Sequence, residues 1–423
     1  MLIEFNVTNF RSIYNTQTLT LIADSETELV DSNTFSLNFS DLPRLVTSSV
    51  IYGPNAAGKS NLIRAFAFMQ DFVKNSAKNS DEDEKIDVKP FLLHENSRHA
   101  PSEFELFFIQ KGVRYQYGFA VTPERVMQEW LFAYPNGNGE QWLERFYDPQ
   151  TLKENWSVSE KLISGMDWRE QWKAFTKSKS LFLSTAKMLN SKEHSDKLTS
   201  VFDWITQSLI VFDSGQPLVD HLTIKQCEEP IHKQKIIKFL QAADINIIDI
   251  KVEIMTHKQL PKTMPSDIKP EIYKIIQFWH HLNNTDDKIP FAPDDESEGT
   301  RKLFALLGPL MDMLVKGRIL IIDEFDNSFH PMMVRFLVEL FHNTTLNKGN
   351  AQIVFTTHDS SILDSTLMRR DQIWFVQKDR EQATQLYPLT DFQPRSNEAL
   401  QRGYLDGRYG ALPCLTELNF DGN

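Results

Sequence analysis

Ser49-Val50-Ile51-Tyr52-Gly53-Pro54-Asn55-Ala56-Ala57-Gly58-Lys59-Ser60 is an apolar run that meets a glycine-bounded turn ending in Lys-Ser. The turn satisfies G-x-x-x-x-G-K-[ST]. Past Lys59 the pattern changes period: Leu62, Ile63, Ala65, Phe66, Met69, Phe72 and Val73 recur at helical spacing until Asn75. A strand that runs through a tight loop into a helix is therefore predicted. Such a loop can turn its backbone N–H groups inward, and the helix adds its positive end, so an anion is the natural guest. In this reading Gly53, Asn55, Ala56, Ala57, Gly58, Lys59, Ser60 and Asn61 bind the nucleotide. Lys59 reaches the β and γ phosphates, and Ser60 ligates Mg²⁺.

Two later strands are candidates to complete the site. Ile319-Leu320-Ile321-Ile322-Asp323-Glu324 is an apolar run ending in two carboxylates. Asp323 suits Mg²⁺, and Glu324 suits the attacking water as base. Taken alone the pair could be a solvated strand end; beside the loop it is the expected second half of a phosphate-hydrolysing site. Ile353-Val354-Phe355-Thr356-Thr357-His358-Asp359 delivers His358 from a strand end, where it could meet the γ-phosphate. A His-Asp metal dyad would need further histidines at ligand spacing, which His330 and His342 do not provide. Thr357 and Asp359 are also ordinary capping residues.

Working outward, Leu2 to Val7 and Leu19 to Ile22 read as β segments. Phe104 to Ile109 and Tyr115 to Val121 read as a hairpin joined through Lys111-Gly112. Residues 79–87 form an acidic stretch expected to be a surface loop. From about 150 to 285 Lys and Glu are frequent and Gly scarce, with helical periodicity at Leu198–Leu209 and Ile231–Ala242, which predicts a mainly helical insertion. After Phe291 the continuous apolar runs at 319–322, 353–355 and 373–376 suit strands buried on both faces of a parallel sheet. The expected division is 1–130, 131–288 and 289–423, an α/β head of mixed sheet and helices interrupted by the insertion.

Composition limits the alternatives. The 423 residues are 41% hydrophobic and 24% charged, so a large core forms. The net charge of -12 excludes a uniformly basic nucleic-acid coat, though not a local groove. Cys227 and Cys414 are the only cysteines, which rules out a disulfide framework and fits a reducing cytoplasm. Neither a signal peptide nor a long apolar span is evident, so a cytoplasmic protein without membrane contact is expected. Asp249-Ile250-Lys251 lacks a second acidic partner and reads as a strand end rather than a nuclease site. Seven of the eight tryptophans lie from Trp130 to Trp279 and are assigned to packing, and Lys177, Lys179 and Lys187 make at most a local contact site.

The order of loop, long insertion, Asp-Glu strand and Thr-Thr-His strand resembles the ATP-binding-cassette (ABC) ATPases of SMC and RecF type. Glu296-Ser297-Glu298-Gly299-Thr300, opening a helical pattern at Leu303, is similar to the signature turn of that family, with Glu298 standing where many transporters have Gly. The resemblance implies a homodimer sandwiching two ATP molecules with Mg²⁺, in which Ser297 and Gly299 act in trans. Asn9-Phe10-Arg11-Ser12 is similar to a stretch whose basic residue lies close to the nucleotide, which brings Arg11 into the set. Of the glutamines that could contact Mg²⁺ in such proteins, Gln70, Gln110 and Gln116 are all candidates.

Asp323 to Pro331, Arg370 to Phe375 and Tyr404 to Pro413 resemble, more narrowly, RloA-like bacterial ATPases of the AAA15/AAA21 grouping, related to the ATPase half of OLD nucleases. That resemblance implies an ATPase that regulates a separately encoded effector, a nuclease, in anti-phage defence. The alternative is a RecF- or SMC-like ATPase that binds DNA directly, which would need a basic channel and a coiled coil that the insertion does not show. A transporter cassette is disfavoured by the insertion itself.

Overall fold

The computed structural model describes residues 1–78, 84–135, 137–163, 165–189, 195–213, 220–256, 272–283, 285–395 and 398–413. Cys414 and most of the acidic stretch 79–87 lie outside them. The chain opens with β1 (Leu2–Thr8) and β2 (Gln17–Thr20), then β3 (Thr34–Phe39) and β4 (Leu42–Val46). It then reaches β5 (Ser48–Tyr52), which feeds the glycine loop and the Lys59–Asn75 helix. A meander follows, formed by β6 (Ser102–Gln110), β7 (Val113–Val121), β8 (Val126–Tyr134), β9 (Glu140–Asp148) and β10 (Lys153–Val158). After several short helices come β11 (Leu209–Phe212), β12 (Asp249–Thr256), β13 (Ile272–His281) and β14 (Lys288–Phe291). The Glu298–Lys316 helix, β15 (Ile319–Ile322), the Pro331–His342 helix, β16 (Gln352–Thr356), β17 (Ile373–Lys378) and β18 (Thr384–Pro388) complete the core.

Two sheets carry the architecture. One is antiparallel with seven strands in the order β10-β9-β8-β7-β6-β1-β2. The other has six, in the order β11-β15-β16-β5-β17-β18, parallel except for the antiparallel edge strand β18. Strand parity explains why the parallel strands are apolar throughout. Ile51, Ile319, Ile321 and Val354 point into the core shared with the antiparallel sheet and the Lys59–Asn75 helix. Their neighbours Val50, Tyr52, Leu320, Ile322, Ile353 and Phe355 point into a second core under the Glu298–Lys316 and Pro331–His342 helices. A strand covered on both faces gains from apolar residues at every position. The Lys59–Asn75 helix is pinned between the sheets, with Phe66 stacked on Phe5 at a ring separation of 3.7 Å.

The stretch 131–288, expected to be mainly helical, is mixed. It holds helices such as Met166–Phe175 and Pro230–Ala242, but also β9 and β10, which extend the antiparallel sheet, β11, which joins the parallel sheet, and the β12–β13 pair. The β8 strand runs across the expected boundary at 130. The reason is visible in β9, Glu-Gln-Trp-Leu-Glu-Arg-Phe-Tyr-Asp, where the adjacent Trp142 and Leu143 are both buried and the alternation is lost. A register shift between Leu131 and Phe132 of β8 accommodates them.

Of the tryptophans expected to pack, Trp142, Trp172 and Trp204 are buried, Trp204 stacking on Phe108 at 4.0 Å, whereas Trp168 is exposed. Asp249 begins β12 and is paired with Lys233 at 2.8 Å. Lys187 is paired with Asp203, and Lys179 donates to the Glu84 carbonyl. Burial pushes the Cys227 thiol up to about 12, an inert state. No helix among the described residues is long and apolar enough to cross a membrane.

Candidate functional site

The glycine loop leaves the C-terminal end of β5, between β16 and β17. Its two glycines are there for steric reasons. A Cβ on Gly53 would lie 2.3 Å from the Val376 carbonyl oxygen, and one on Gly58 would lie 2.1 Å from Thr384 Oγ1. Gly58 also has φ +115°, outside what L side chains adopt. It is the N-cap of the Lys59–Asn75 helix and offers no side-chain acceptor, so the helix start keeps N–H groups for a guest. Lys59 is buried, and its Nζ donates to the carbonyls of Gly53 at 2.7 Å and Pro54 at 3.2 Å. Burial pushes its ammonium below the usual amine range, against the opposing negative field of Asp323, Glu324 and Asp326.

The loop is braced from behind. Thr384 Oγ1 donates to the Ala57 carbonyl at 2.9 Å and lies 2.8 Å from Ser12 Oγ, which accepts from Asn61 Nδ2 at 2.7 Å. Thus the Asn9-Phe10-Arg11-Ser12 stretch does reach the loop, but through Ser12. Arg11 itself has its guanidinium 5.5 Å from the Phe10 ring, with Nε buried and unpaired, and does not line the cleft.

Residues 54–61 share a cleft of about 180 Å³ with Arg64, Glu324 and His358. Arg64 is tied to Asp213, just past β11, at 3.1 Å. The parallel order places the tips of β5, β15 and β16 side by side, so three motifs far apart in sequence converge. Asp323 is buried beneath them. Its Oδ1 accepts from Thr356 Oγ1 at 2.6 Å, and its Oδ2 is buried with no hydrogen-bond partner. Glu324 has φ 49°, an unusual value for a non-glycine residue, and its N–H donates to Thr356 Oγ1 at 2.7 Å. The N–H of the exposed His358 donates to Asp326 Oδ2 at 3.2 Å.

The donor set fits Mg²⁺. No three His, Cys, Asp or Glu side chains group as a metal site among the described residues. Magnesium bound with a nucleotide needs fewer protein ligands: one or two carboxylate or hydroxyl oxygens, with phosphates and water supplying the rest. The unpartnered Asp323 Oδ2 and the Ser60 hydroxyl supply that chemistry. Thr357 and Asp359 act locally, Thr357 Oγ1 accepting the Asp359 N–H and Asp359 capping the Ser360–Ile362 turn.

Ser297 and Gly299 do not line this cleft. Ser297 is the N-cap of the Glu298–Lys316 helix, its Oγ accepting from the Thr300 N–H at 3.0 Å. A Cβ on Gly299 would lie 3.0 Å from the Ser328 carbonyl oxygen, in the loop that follows Glu324. Of the glutamines, Gln70 donates to the carbonyls of Ile205 and Leu209 and Gln116 donates to Glu105; neither they nor Gln110 line the cleft. Thr384, Arg64 and the part played by Ser12 emerge only from the structure. Ser12 and Thr356 lie within recognisable motifs, whereas nothing local in the sequence marks Thr384.

Residues 48–364 match the family described as "AAA domain, putative AbiEii toxin, Type IV TA system". No curated protein matches the chain. The "SMC head domain from Thermotoga maritima" is similar at 13% identity and a TM-score of 0.40, over 92% of this chain and 98% of that one. The SmcHead "bound to the C-winged helix domain of ScpA" is similar at 12% identity and a TM-score of 0.40, over 92% and 97%. At those scores the likeness has no independent weight beside the strand order and the cleft.

Proposed function

We propose that this chain, which belongs to the AAA-domain family just described, is an ATPase of ABC type. In this reading it dimerises around two Mg·ATP and hydrolyses them to control a separately encoded effector, of nuclease type, in bacterial anti-phage defence. One observation carries the enzymatic part: the glycine loop, Glu324 and His358 line a single cleft, and the half-paired Asp323 is buried at the strand tip directly before Glu324. The toxin–antitoxin wording of the family description fits a chain that works with a second component.

Each residue then has a task. The amides of residues 55–60 and the Lys59 ammonium bind and orient the triphosphate. Bound Mg²⁺, held by Ser60 and Asp323, would supply neutralising charge at the phosphate oxygens. Glu324 orients the attacking water and accepts its proton, and His358 holds the γ-phosphate end. In the dimer, Ser297 and Gly299 of one copy close the cleft of the other, which accounts for their position outside the cleft of their own chain.

The test is ATP turnover together with light scattering of the full chain. Lys59→Ala should abolish ATP uptake. Glu324→Gln should lower turnover about 10²–10⁴-fold while still binding Mg·ATP, and should accumulate an ATP-dependent dimer. Undiminished hydrolysis by either variant would refute these roles. A monomeric Glu324→Gln at saturating Mg·ATP would refute the sandwich.

A further inference from the structure

We propose that Thr356 is a positioning residue: it selects which oxygen of Asp323 faces the magnesium position and holds Glu324 in its left-handed backbone conformation. The inference deepens, and rests on, the ATP-hydrolysing reading of the same cleft. Thr356 is the last residue of β16, fully buried, beside the tip of β15. Three of its bonds go to consecutive residues of the neighbouring strand end. Its Oγ1 lies 2.6 Å from Asp323 Oδ1 and accepts the Glu324 N–H at 2.7 Å, and its carbonyl accepts the Phe325 N–H at 2.9 Å.

A threonine hydroxyl has one proton to give. The Glu324 amide can only donate, so it occupies a lone pair of Oγ1, and the hydroxyl proton goes to Asp323. Oδ1 is thereby committed. Oδ2 is left buried with no hydrogen-bond donor, an arrangement that costs free energy unless a cation or an equivalent donor completes it. From the other side the Asp323 N–H donates to the Phe212 carbonyl at 2.9 Å, so both neighbouring strands hold the residue, β11 by its backbone and β16 by its carboxylate.

The same hydroxyl fixes the Glu324 peptide. At φ 49° a glutamate is in a sparsely populated conformation that persists where the surroundings hold it. The bond from its N–H to Thr356 is such a hold. One side chain therefore sets the direction of the metal-facing oxygen and the backbone that carries the base, touching neither nucleotide nor water. A purely structural Thr356 would instead satisfy a buried carboxylate and nothing more, which predicts lost stability without a change in metal dependence.

Calorimetry on the full chain separates the two. ATP binding is measured in EDTA and in MgCl₂ for the wild type, Thr356→Val and Thr356→Ser. The expected result for Thr356→Val is that the gain in ATP affinity conferred by Mg²⁺ falls about 10- to 100-fold, while binding in EDTA, which uses the glycine loop, is unchanged. Thr356→Ser, which keeps the hydroxyl, should restore most of the gain. Thr356→Ala carries the same expectation should the valine variant not fold. A variant that keeps the full magnesium gain, or one that loses EDTA and magnesium binding in equal measure, overturns the inference. Wild-type chain with no magnesium-dependent ATP uptake overturns the underlying reading as well, and is recognised without any variant.

Discussion

The glycine loop and the Ser297 turn are both helix starts, yet they are held in opposite ways. Contacts to the loop come from distant parts of the chain: Val376 behind Gly53, Thr384 behind Gly58, and Ser12 against Asn61. The Ser297 turn caps itself, through the Thr300 N–H and hydroxyl, and its distant contacts, His280 on Glu296 and Ser328 on Glu298, reach the flanking side chains rather than the cap. The loop keeps its cap position free of side-chain acceptors, whereas the turn satisfies its own helix start. The first is a site preorganised for an anion. The second caps its own helix start, and its place in the proposed site rests on the proposed dimer.

The contrast can be broken most severely at Gly58. In Gly58→Ala the new methyl group meets Thr384 Oγ1 and the φ of +115° is strained, so a loss of about 2–5 kcal/mol in folding stability and loss of ATP uptake are expected. Thermal unfolding and nucleotide binding check this.

A second long-range brace sits at the foot of β5. Ser48 Oγ lies 2.8 Å from Nε2 of buried His342, and burial lowers the His342 pKa from 6.5 to about 3. The folded chain keeps the ring neutral down to that value, whereas the unfolded chain takes up a proton near 6.5. Stability is therefore intact above pH 6.5 and declines as pH falls toward 3, by roughly 1.4 kcal/mol per pH unit within the window. Urea titrations at pH 7 and pH 5 should show the loss, and His342→Gln should flatten it.

How much of this was readable beforehand follows from the reach of each interaction. The loop, the Lys59–Asn75 helix and strands β15 to β17 were legible because a period or an unbroken apolar run announces them locally. The antiparallel β9 was not, because Trp142 and Leu143 break the alternation: Leu143 faces Leu131 and Gln141 faces Phe132, which leaves Trp142 as an extra residue that only the pairing with β8 reveals. The Lys- and Glu-rich composition of 131–288 favours a helical reading and masks its strands, of which β11 finds its partner β15 far along the chain while β9, β10, β12 and β13 pair with strands next to them in sequence. Asp323 and Glu324 were legible as types; the orphaned Oδ2 was not, since it depends on a threonine in another strand. The resemblance of Asn9-Phe10-Arg11-Ser12 points to Arg11, whereas the side chain that bonds the loop helix is the neighbouring Ser12 hydroxyl.

Smaller effects sharpen the comparison. Thr384→Val removes the bonds to Ala57 and Ser12 and should cost about 1–3 kcal/mol, with weaker ATP binding measured by calorimetry. Ser297→Ala removes a helix cap and should cost only ~1 kcal/mol, leaving Mg·ATP affinity of the dilute monomer unchanged while lowering turnover at concentrations where copies pair. An equal loss of monomer affinity in both variants would erase the distinction between the two turns.

The strand order has a consequence for how the molecule is made. β5, at positions 48–52, is flanked by β16 from beyond residue 350 and β17 from beyond 370, with Ser48 registered opposite Ile353 and Val50 opposite Ile373. During synthesis the loop emerges early but waits for most of the polypeptide before its walls exist, and closing so long a connection is slow. A ribosome-bound chain halted after the Lys59–Asn75 helix should therefore ignore ATP, and competence should arrive abruptly, once β17 has left the exit tunnel.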